Sequence, residues 1–449
     1  MGSEFREYLL SLEKASLLRV IREEVSTEFE ISAGIRHSSD HDGPAWLFEK
    51  VKDYPGWRVA AGLFATRRLL AAALRCREEE LGDRMSSWEG NEKEPVLVDT
   101  APCQEVVWTG DDVDMRKLPV CLHSENDAGR YVTAALQIAK NPHTGKRNVS
   151  IHRMLVMDRD LLSLWAPADH HLGRSILDAE ALGRGLEVAS FIGAHPLIQL
   201  GSQARVPMGV DEFAVAGALL GRPVELVRCK TIDAEVPADC EVVIEGVTIP
   251  GRRVADGPFA EYPGTYSETK QGPCLRVTAI TMRRSAIYQT ALTGMPMTEN
   301  HWMVQHLNEA AVRKEVTKIV PEVVAINVTP GGSARHHVVV SLRKKHDAEP
   351  RNVVLALLAP PGLGVKRVVV VDDDIDVFDP SDVEWAINTR VQPDRDIIIV
   401  PNMNSSTLDP SAPAPRTTGK WGIDATMPLG DESGYRKAYV PGQEKPRYL

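Results

Sequence analysis

The chain has few of the features that would staple, anchor or export a protein. Only six of its 449 residues are cysteine, and no two of them form a CxxC pair. No disulfide framework is expected, and the scattered thiols suit structural positions in a reducing compartment. No uninterrupted apolar run reaches the ~18–20 residues of a membrane-spanning helix. The opening stretch MGSEFREYLLSLEKASLLRVI carries acids throughout and has no small-residue cleavage site, so no secretory signal is read and a cytoplasmic protein is expected. Basic charge is in deficit, with 52 Lys and Arg against 62 Asp and Glu and a net charge of −10. That balance excludes a general nucleic-acid or anionic-membrane binder, because phosphate contacts need clustered cations.

Common signatures are missing too. DDDIDVFDPSDVE at 372–384 has Val377 where a calcium loop needs glycine and Val383 where it needs glutamate, so a surface acidic turn is expected there. GLG at 362–364 lacks the third glycine of a dinucleotide fingerprint, and the two TGK triplets lack P-loop spacing. Neither an HExxH helix nor a GxSxG elbow occurs.

The length exceeds what one simple core fills, so two or three domains are expected. Apolar periodicity predicts a helix over 3–20, capped by Ser3, with Leu17 and Leu18 on its buried face, and a second helix over 66–82 closed by Gly82. Residues 84–94 read as a loop. From 95 to 295 short apolar or alternating runs (PVLV, EVVW, YVTAALQIAK, NVSIHRMLVM, SFIGAHPLIQL, VELVRC, EVVIEGVTI, CLRVTAITM, AIYQTAL) are punctuated by turn residues. They predict a β-barrel or sandwich interrupted by one helix near 211–221, with Asp211 as its cap and Gly221 as its end. A longer helix over 299–319, with Met303, Leu307, Ala310 and Ala311 on one face, leads to alternating strand and helix patterns. These suggest a small, mostly parallel α/β sheet, with 401–418 as a surface loop.

Polar residues inside RNVSIHRM (147–154) are the strongest chemical signal. In a single strand Asn148, Ser150 and His152 share one face, and Val149, Ile151 and Arg153 the other. An arginine aligned with Val and Ile either pairs with a carboxylate or reaches solvent from the strand end. DGPFAEYPG (256–264) offers Asp256 and Glu261 beside Phe259, whose apolar surface can desolvate a neighbouring carboxyl. One arginine and two acids make a proton-transfer set, while two solvated turn acids are the plainer alternative. Asn148, the pair His170–His171 and Glu212 together supply oxygen and nitrogen donors suited to Mn²⁺ or Mg²⁺ bridging a phosphate. Each read singly is a cap or surface residue.

These segments, with VVWTGDDVDMRKLPV, HPLIQLGSQARVPMGVDEFAVAGALLGRPVELVRC, VKRVVVVDDDIDVFDPSDVEWAINTR and GKWGIDAT, resemble the UbiD family of prenylated-flavin-dependent decarboxylases along nearly the whole chain. The resemblance implies a multidomain α+β and α/β fold: an N-terminal α/β segment (1–110), a flavin-binding split β-barrel (111–297), a linking helix (298–320) and a C-terminal α/β oligomerisation domain (321–449). It implies prenylated FMN, made by a separate flavin prenyltransferase and held through Mn²⁺ (or Mg²⁺) and K⁺. By motif, Asn148, His171 and Glu212 fall on the Mn²⁺ ligands, and Ser202 and Glu212 near K⁺. Asn148, Val149, Ser150, Ile151, His152, Arg153, His170 and His171 form the cofactor cradle, with Thr133 beside the flavin and Lys366 toward the phosphate.

Arg153, Asp256 and Glu261 match the family's catalytic set, in which many members carry Glu at the first acid. The implied activity is reversible, non-oxidative decarboxylation of an aromatic, heteroaromatic or α,β-unsaturated acid through a covalent cofactor adduct, by a homodimer or assembly of dimers. An FMN-dependent split-barrel oxidoreductase is the alternative enzyme, and a non-catalytic subunit of a larger complex a third reading. His301 and His306, in GMPMTENHWMVQH, either meet a polar substituent of the substrate or are helix-cap or helix-surface residues.

Overall fold

The computed structural model describes residues 4–204, 206, 210–412 and 417–441. The chain divides into two compact units, Met1–Leu307 and Asn308–Leu449. Among the described residues no helix is long and apolar enough to cross a membrane, and all six cysteines are free.

The first unit begins with helix Phe5–Lys14, which buries Phe5, Tyr8, Leu9 and Leu12. It is shorter than predicted: Ser16 turns into the left-handed region, and Leu18 starts strand Leu18–Val25. The apolar pair at 17–18 therefore belongs to a two-residue period, and Ser3 lies outside the described residues. The helix predicted over 66–82 is likewise two helices. Thr66 caps Arg67–Leu74 through the Leu69 N–H, Arg75 ends it in the left-handed region, and Leu81–Ser86 follows with Gly82 inside it. Strands Leu18–Val25, Ala45–Val51, Arg58–Ala61 and Ile287–Thr290 form one sheet in that order. AIYQTAL thus leaves the barrel and pairs in parallel with Arg58–Ala61.

The principal sheet has nine strands, all paired antiparallel. Its path runs Tyr131–Val132, Met154–Val156, Leu161–Leu164, Lys270–Met282, Val242–Asp256, Glu187–Ile192, Leu136–Lys140, Arg147–Ile151, with Val106–Thr109 added on Lys270–Met282. Its two ends are joined by very short links. Residues 133–135 connect Tyr131–Val132 to Leu136–Lys140, and His152–Arg153 alone connect Arg147–Ile151 to Met154–Val156. Consecutive Cα atoms are only 3.8 Å apart, so links of two and three residues force the sheet to curl until its ends approach. RNVSIHRM is therefore not one strand but two, and His152 and Arg153 lie where the chain crosses the seam. The runs PVLV and VELVRC lie outside this sheet, in a three-stranded one built from Val96–Leu97, Glu225–Arg228 and Glu235–Pro237.

Helix Glu212–Leu220 has Asp211 as its cap, accepting from the Phe213 N–H, and Gly221 in the left-handed region at its end. Two further helices, His171–Ala181 and Pro196–Gly201, also interrupt the strands. The first is amphipathic, and the second is short and wholly buried, which hides it inside an apolar run that reads equally as strand. Helix Glu299–Val316 buries His301, Met303, Gln305 and His306, while Ala310 is exposed.

In the second unit a five-stranded sheet runs Val323–Val328, His337–Leu342, Arg367–Val371, Thr417–Ala425, Ile397–Asn404. Its two inner pairings are parallel and its two edge pairings antiparallel, so it is mixed and not mostly parallel. The predicted loop at 401–418 is strand at both ends. Asp372 is buried, and its carboxylate pairs with fully buried Arg390 at 2.9 Å, so the acidic turn is an internal ion-pair site at its first residue.

Candidate active site

Arg153, at the seam, is buried with 7% of its side chain exposed. Its Nε and Nη2 donate to Asp256 Oδ1 at 2.9 and 2.7 Å, and its Nη1 donates to Glu261 Oε1. Asp256, the last residue of Val242–Asp256, is wholly buried; Glu261, on the following loop, keeps 19% of its side chain open. Burial works against the charge on Arg153, but Glu261 and Asp256 outweigh it and hold the guanidinium above its ordinary value. The guanidinium carbon lies 4.5 Å from the Phe259 ring, 5.6 Å from Trp165 and 5.8 Å from Tyr131. Aromatic faces accept a cation while excluding water.

Several neighbours carried little sequence signal. Ser163 Oγ donates to the other Asp256 oxygen, Oδ2, at 2.9 Å, and a lone hydroxyl inside the apolar run LLSL was the available clue. A Cβ on Gly272 would lie 2.6 Å from that Oγ, so glycine there keeps the path open. Tyr131 Oη accepts from the Gly257 N–H at 3.0 Å, and Asp127 Oδ1 from the Ala260 N–H at 2.8 Å. Gly257 has φ +99° and close backbone neighbours, which fits the turn that turns the acid loop back.

The remaining predicted residues form a second cluster. Within strand Arg147–Ile151, Asn148 Nδ2 donates to Ser150 Oγ at 3.2 Å, so those two share a face, while Val149 is buried in the core. Asn148 Oδ1 meets His171 Nδ1 at 3.0 Å. Glu212, in the first turn of its helix, accepts from the Val149 N–H at 3.0 Å. Burial pushes its carboxyl up to about 7 despite that bond. Arg147, itself paired with Asp211 at 2.5 Å and Glu235 at 2.9 Å, pulls it back only in part. His152 Nδ1 meets the Trp165 carbonyl at 3.1 Å, and its ring lies 6.0 Å from His170. Burial, with His170 nearby, lowers His152 to about 4.

Thr133 sits in the other seam crossing. Its hydroxyl donates to the Ala291 carbonyl at 2.7 Å and lies 3.5 Å from His123 Nε2. Among the described residues no hydrogen bond draws Ser202 into the cluster; its hydroxyl donates to the Gln199 carbonyl at 2.7 Å. Lys366 belongs to the second unit, where it pairs with Asp409 at 2.8 Å and donates to Ser411 Oγ at 2.6 Å. Among the described residues no three His, Cys, Asp or Glu side chains gather as a metal site; the predicted set includes an amide.

Three family models match consecutive stretches. The 3-octaprenyl-4-hydroxybenzoate carboxy-lyase N-terminal domain covers residues 9–87, the Rift-related domain 95–296 and the C-terminal domain 301–425. The chain belongs to the UbiD family of carboxy-lyases. It is 36% identical over 422 residues to anhydromevalonate phosphate decarboxylase of Methanothermobacter thermautotrophicus, covering 93% of this chain and 96% of that one. It resembles the UbiD-class enzyme HmfF of Pelotomaculum thermopropionicum, solved with FMN, at TM-score 0.89 and 40% identity over 99% of both chains. An evolved dimeric form of HmfF, solved with prFMN, matches at TM-score 0.86 and 39% identity over 99% of this chain and 98% of that one. This UbiD enzyme is accordingly a decarboxylase by family, and the oxidoreductase and non-catalytic alternatives fall away.

Proposed function

We propose that this UbiD decarboxylase removes CO₂ reversibly and without oxidation from an aromatic, heteroaromatic or α,β-unsaturated acid, with prenylated FMN as cofactor. The observation that carries the reading is Arg153 shared between Asp256 and Glu261, buried against aromatic rings.

The donor chemistry of the neighbouring cluster fits a cofactor phosphate held through a divalent cation. Asn148 supplies an amide oxygen, His171 a ring nitrogen and Glu212 a buried carboxyl that a cation would stabilise in its ionised form. K⁺ would share Glu212 and reach Ser202, with Thr133 beside the ring system. The flavin would come from a separate prenyltransferase, and the working assembly is a homodimer or a set of dimers. When bound, the prenylated flavin supplies an electrophilic carbon that accepts the electron pair left as CO₂ departs.

The chain's own residues do the rest. Arg153 orients the substrate carboxylate by charge-assisted hydrogen bonds. Asp256, saturated by two Arg153 donors and Ser163, fixes the guanidinium plane. Glu261, the more exposed acid, can turn toward the reacting carbon and give it a proton at the position CO₂ has left. The overall change is RCOO⁻ + H⁺ → RH + CO₂. Phe259, Trp165 and Tyr131 keep bulk water from delivering that proton indiscriminately.

The test is reconstitution with the prenylated flavin, identified by mass and absorption, followed by a panel of unsaturated acids. Turnover of one class by the wild type and its loss in Glu261→Gln is expected. Turnover unchanged by that substitution removes Glu261 from the donor role.

A further inference from the structure

The loop that carries Glu261 is gripped on both sides. On the N-terminal side, Asp127 accepts from the Ala260 N–H at 2.8 Å. On the C-terminal side, His301 Nε2 meets the Tyr262 carbonyl at 2.7 Å, and its ring lies 4.1 Å from the Tyr262 ring. Glu261 is the middle of the three residues, Ala260 to Tyr262, held between these two clamped peptide units. The turn itself is closed by Glu261 N–H to the Thr265 carbonyl at 2.8 Å and Gly264 N–H to the Glu261 carbonyl at 2.9 Å.

His301 is held so that its Nε2 faces the Tyr262 carbonyl. It is wholly buried. Its Nδ1 accepts from the Thr298 N–H at 3.0 Å, so the proton belongs on Nε2, where it is donated to Tyr262. Burial keeps the ring neutral, lowering it to about 4. Its helix start is anchored in turn, because Glu299 accepts from the Leu292 N–H at 2.9 Å and the Phe64 N–H at 3.4 Å. Both ring nitrogens are thus engaged within the protein, which leaves none for a substituent of the substrate.

We propose that His301 is a positioning residue for Glu261: with Asp127 as the opposing clamp, it fixes the backbone from which the proton-donating carboxyl swings. The proposal rests on the donor role given to Glu261 above.

Two reactions separate this role from a general structural one. Exchange of labelled CO₂ into the acid needs the carbon–carbon bond to break and re-form, but needs no proton. Net formation of RH needs Glu261. His301→Asn keeps a polar group near the Nδ1 position and loses the reach to Tyr262, whereas His301→Gln carries an N–H close to the Nε2 position. Reconstituted His301→Asn is expected to lose about tenfold to a hundredfold in net product formation, with CO₂ exchange within about threefold of wild type, and His301→Gln to recover most of the loss. Without cofactor, amide hydrogen exchange over residues 259–266 is expected to rise in His301→Asn and to stay near wild type in His301→Gln. Equal loss of both reactions in His301→Asn, equal behaviour of the two variants, or unchanged amide exchange overturns the inference. Glu261→Gln is the control: selective loss there with none in His301→Asn defeats the clamp alone, while full product formation by Glu261→Gln defeats the donor assignment beneath it.

Discussion

Among the described residues, Arg153 is the one cation paired with the wholly buried Asp256, and replacing it by Met removes that partner. Asp256 has no exposed side-chain surface and receives two hydrogen bonds from Arg153 and one from Ser163. With the guanidinium gone, the Ser163 hydroxyl is left to solvate the charge. Removing one partner of a buried pair costs about 3–5 kcal/mol, because the stranded charge has lost both water and counterion. Glu261 adds little to this figure, since its side chain is partly open and can turn to water. For a unit of this size, about 2 °C per kcal/mol places the expected fall in the first unit's melting transition at about 6–10 °C. The double variant Arg153→Met/Asp256→Asn deletes both charges and should recover most of that loss while remaining inactive. Scanning calorimetry and urea titration of the three proteins decide the matter. A single variant as stable as wild type, or a double variant no more stable than the single, would refute the reasoning that Arg153 and Asp256 stabilise each other as a buried pair.

Gly272→Ala is expected to displace Ser163, because the new Cβ would sit 2.6 Å from its Oγ; it and Ser163→Ala should each cost about 1–3 kcal/mol and lower turnover, read by urea titration and CO₂ release. His123 is buried, bonded through Nε2 to Thr290 Oγ1 at 2.8 Å, and lowered to about 4 by burial. Its unfolded value is near 6.5, so its contribution to stability is complete above that pH and lost as pH falls toward 4; His123→Gln should reduce the acid-side slope by about 1.4 kcal/mol per pH unit, measured by urea titration from pH 7 to 5, and an unchanged slope would count against the assignment. Asn148→Ala should weaken retention of the prenylated flavin and of Mn²⁺ at least about tenfold, checked by native mass spectrometry, while Ser202→Ala, whose hydroxyl is turned to Gln199, should affect retention less.

Some local signals held and others did not: Gly82 lies inside a helix it was expected to close. Asp211 and Gly221 bracket their helix as their chemistry dictates, and the alternation through Asn148, Val149 and Ser150 holds across the strand. The need of a buried Arg153 for a carboxylate was also legible, because the energetic argument does not depend on the fold. What stayed hidden is non-local. The break at His152–Arg153 exists because a curled sheet brings its ends together there, and no period within RNVSIHRM encodes that. Ile287–Thr290 reads like any barrel strand, yet pairs with Arg58–Ala61, more than two hundred residues earlier. Ser163 and Gly272 acquire their roles only through the pairing of Leu161–Leu164 with Lys270–Met282. Arg75 ends a helix inside a run of strong helix formers, where propensity alone predicts continuation.

The most direct test of the central claim is turnover in D₂O by the protein loaded with prenylated flavin, offered a panel of aromatic, heteroaromatic and acrylic acids. Wild type should release CO₂ from at least one class and leave one deuterium on the carbon that carried the carboxylate, and Arg153→Met should do neither. Equal CO₂ release by Arg153→Met, or product without deuterium at that carbon, would contradict the account.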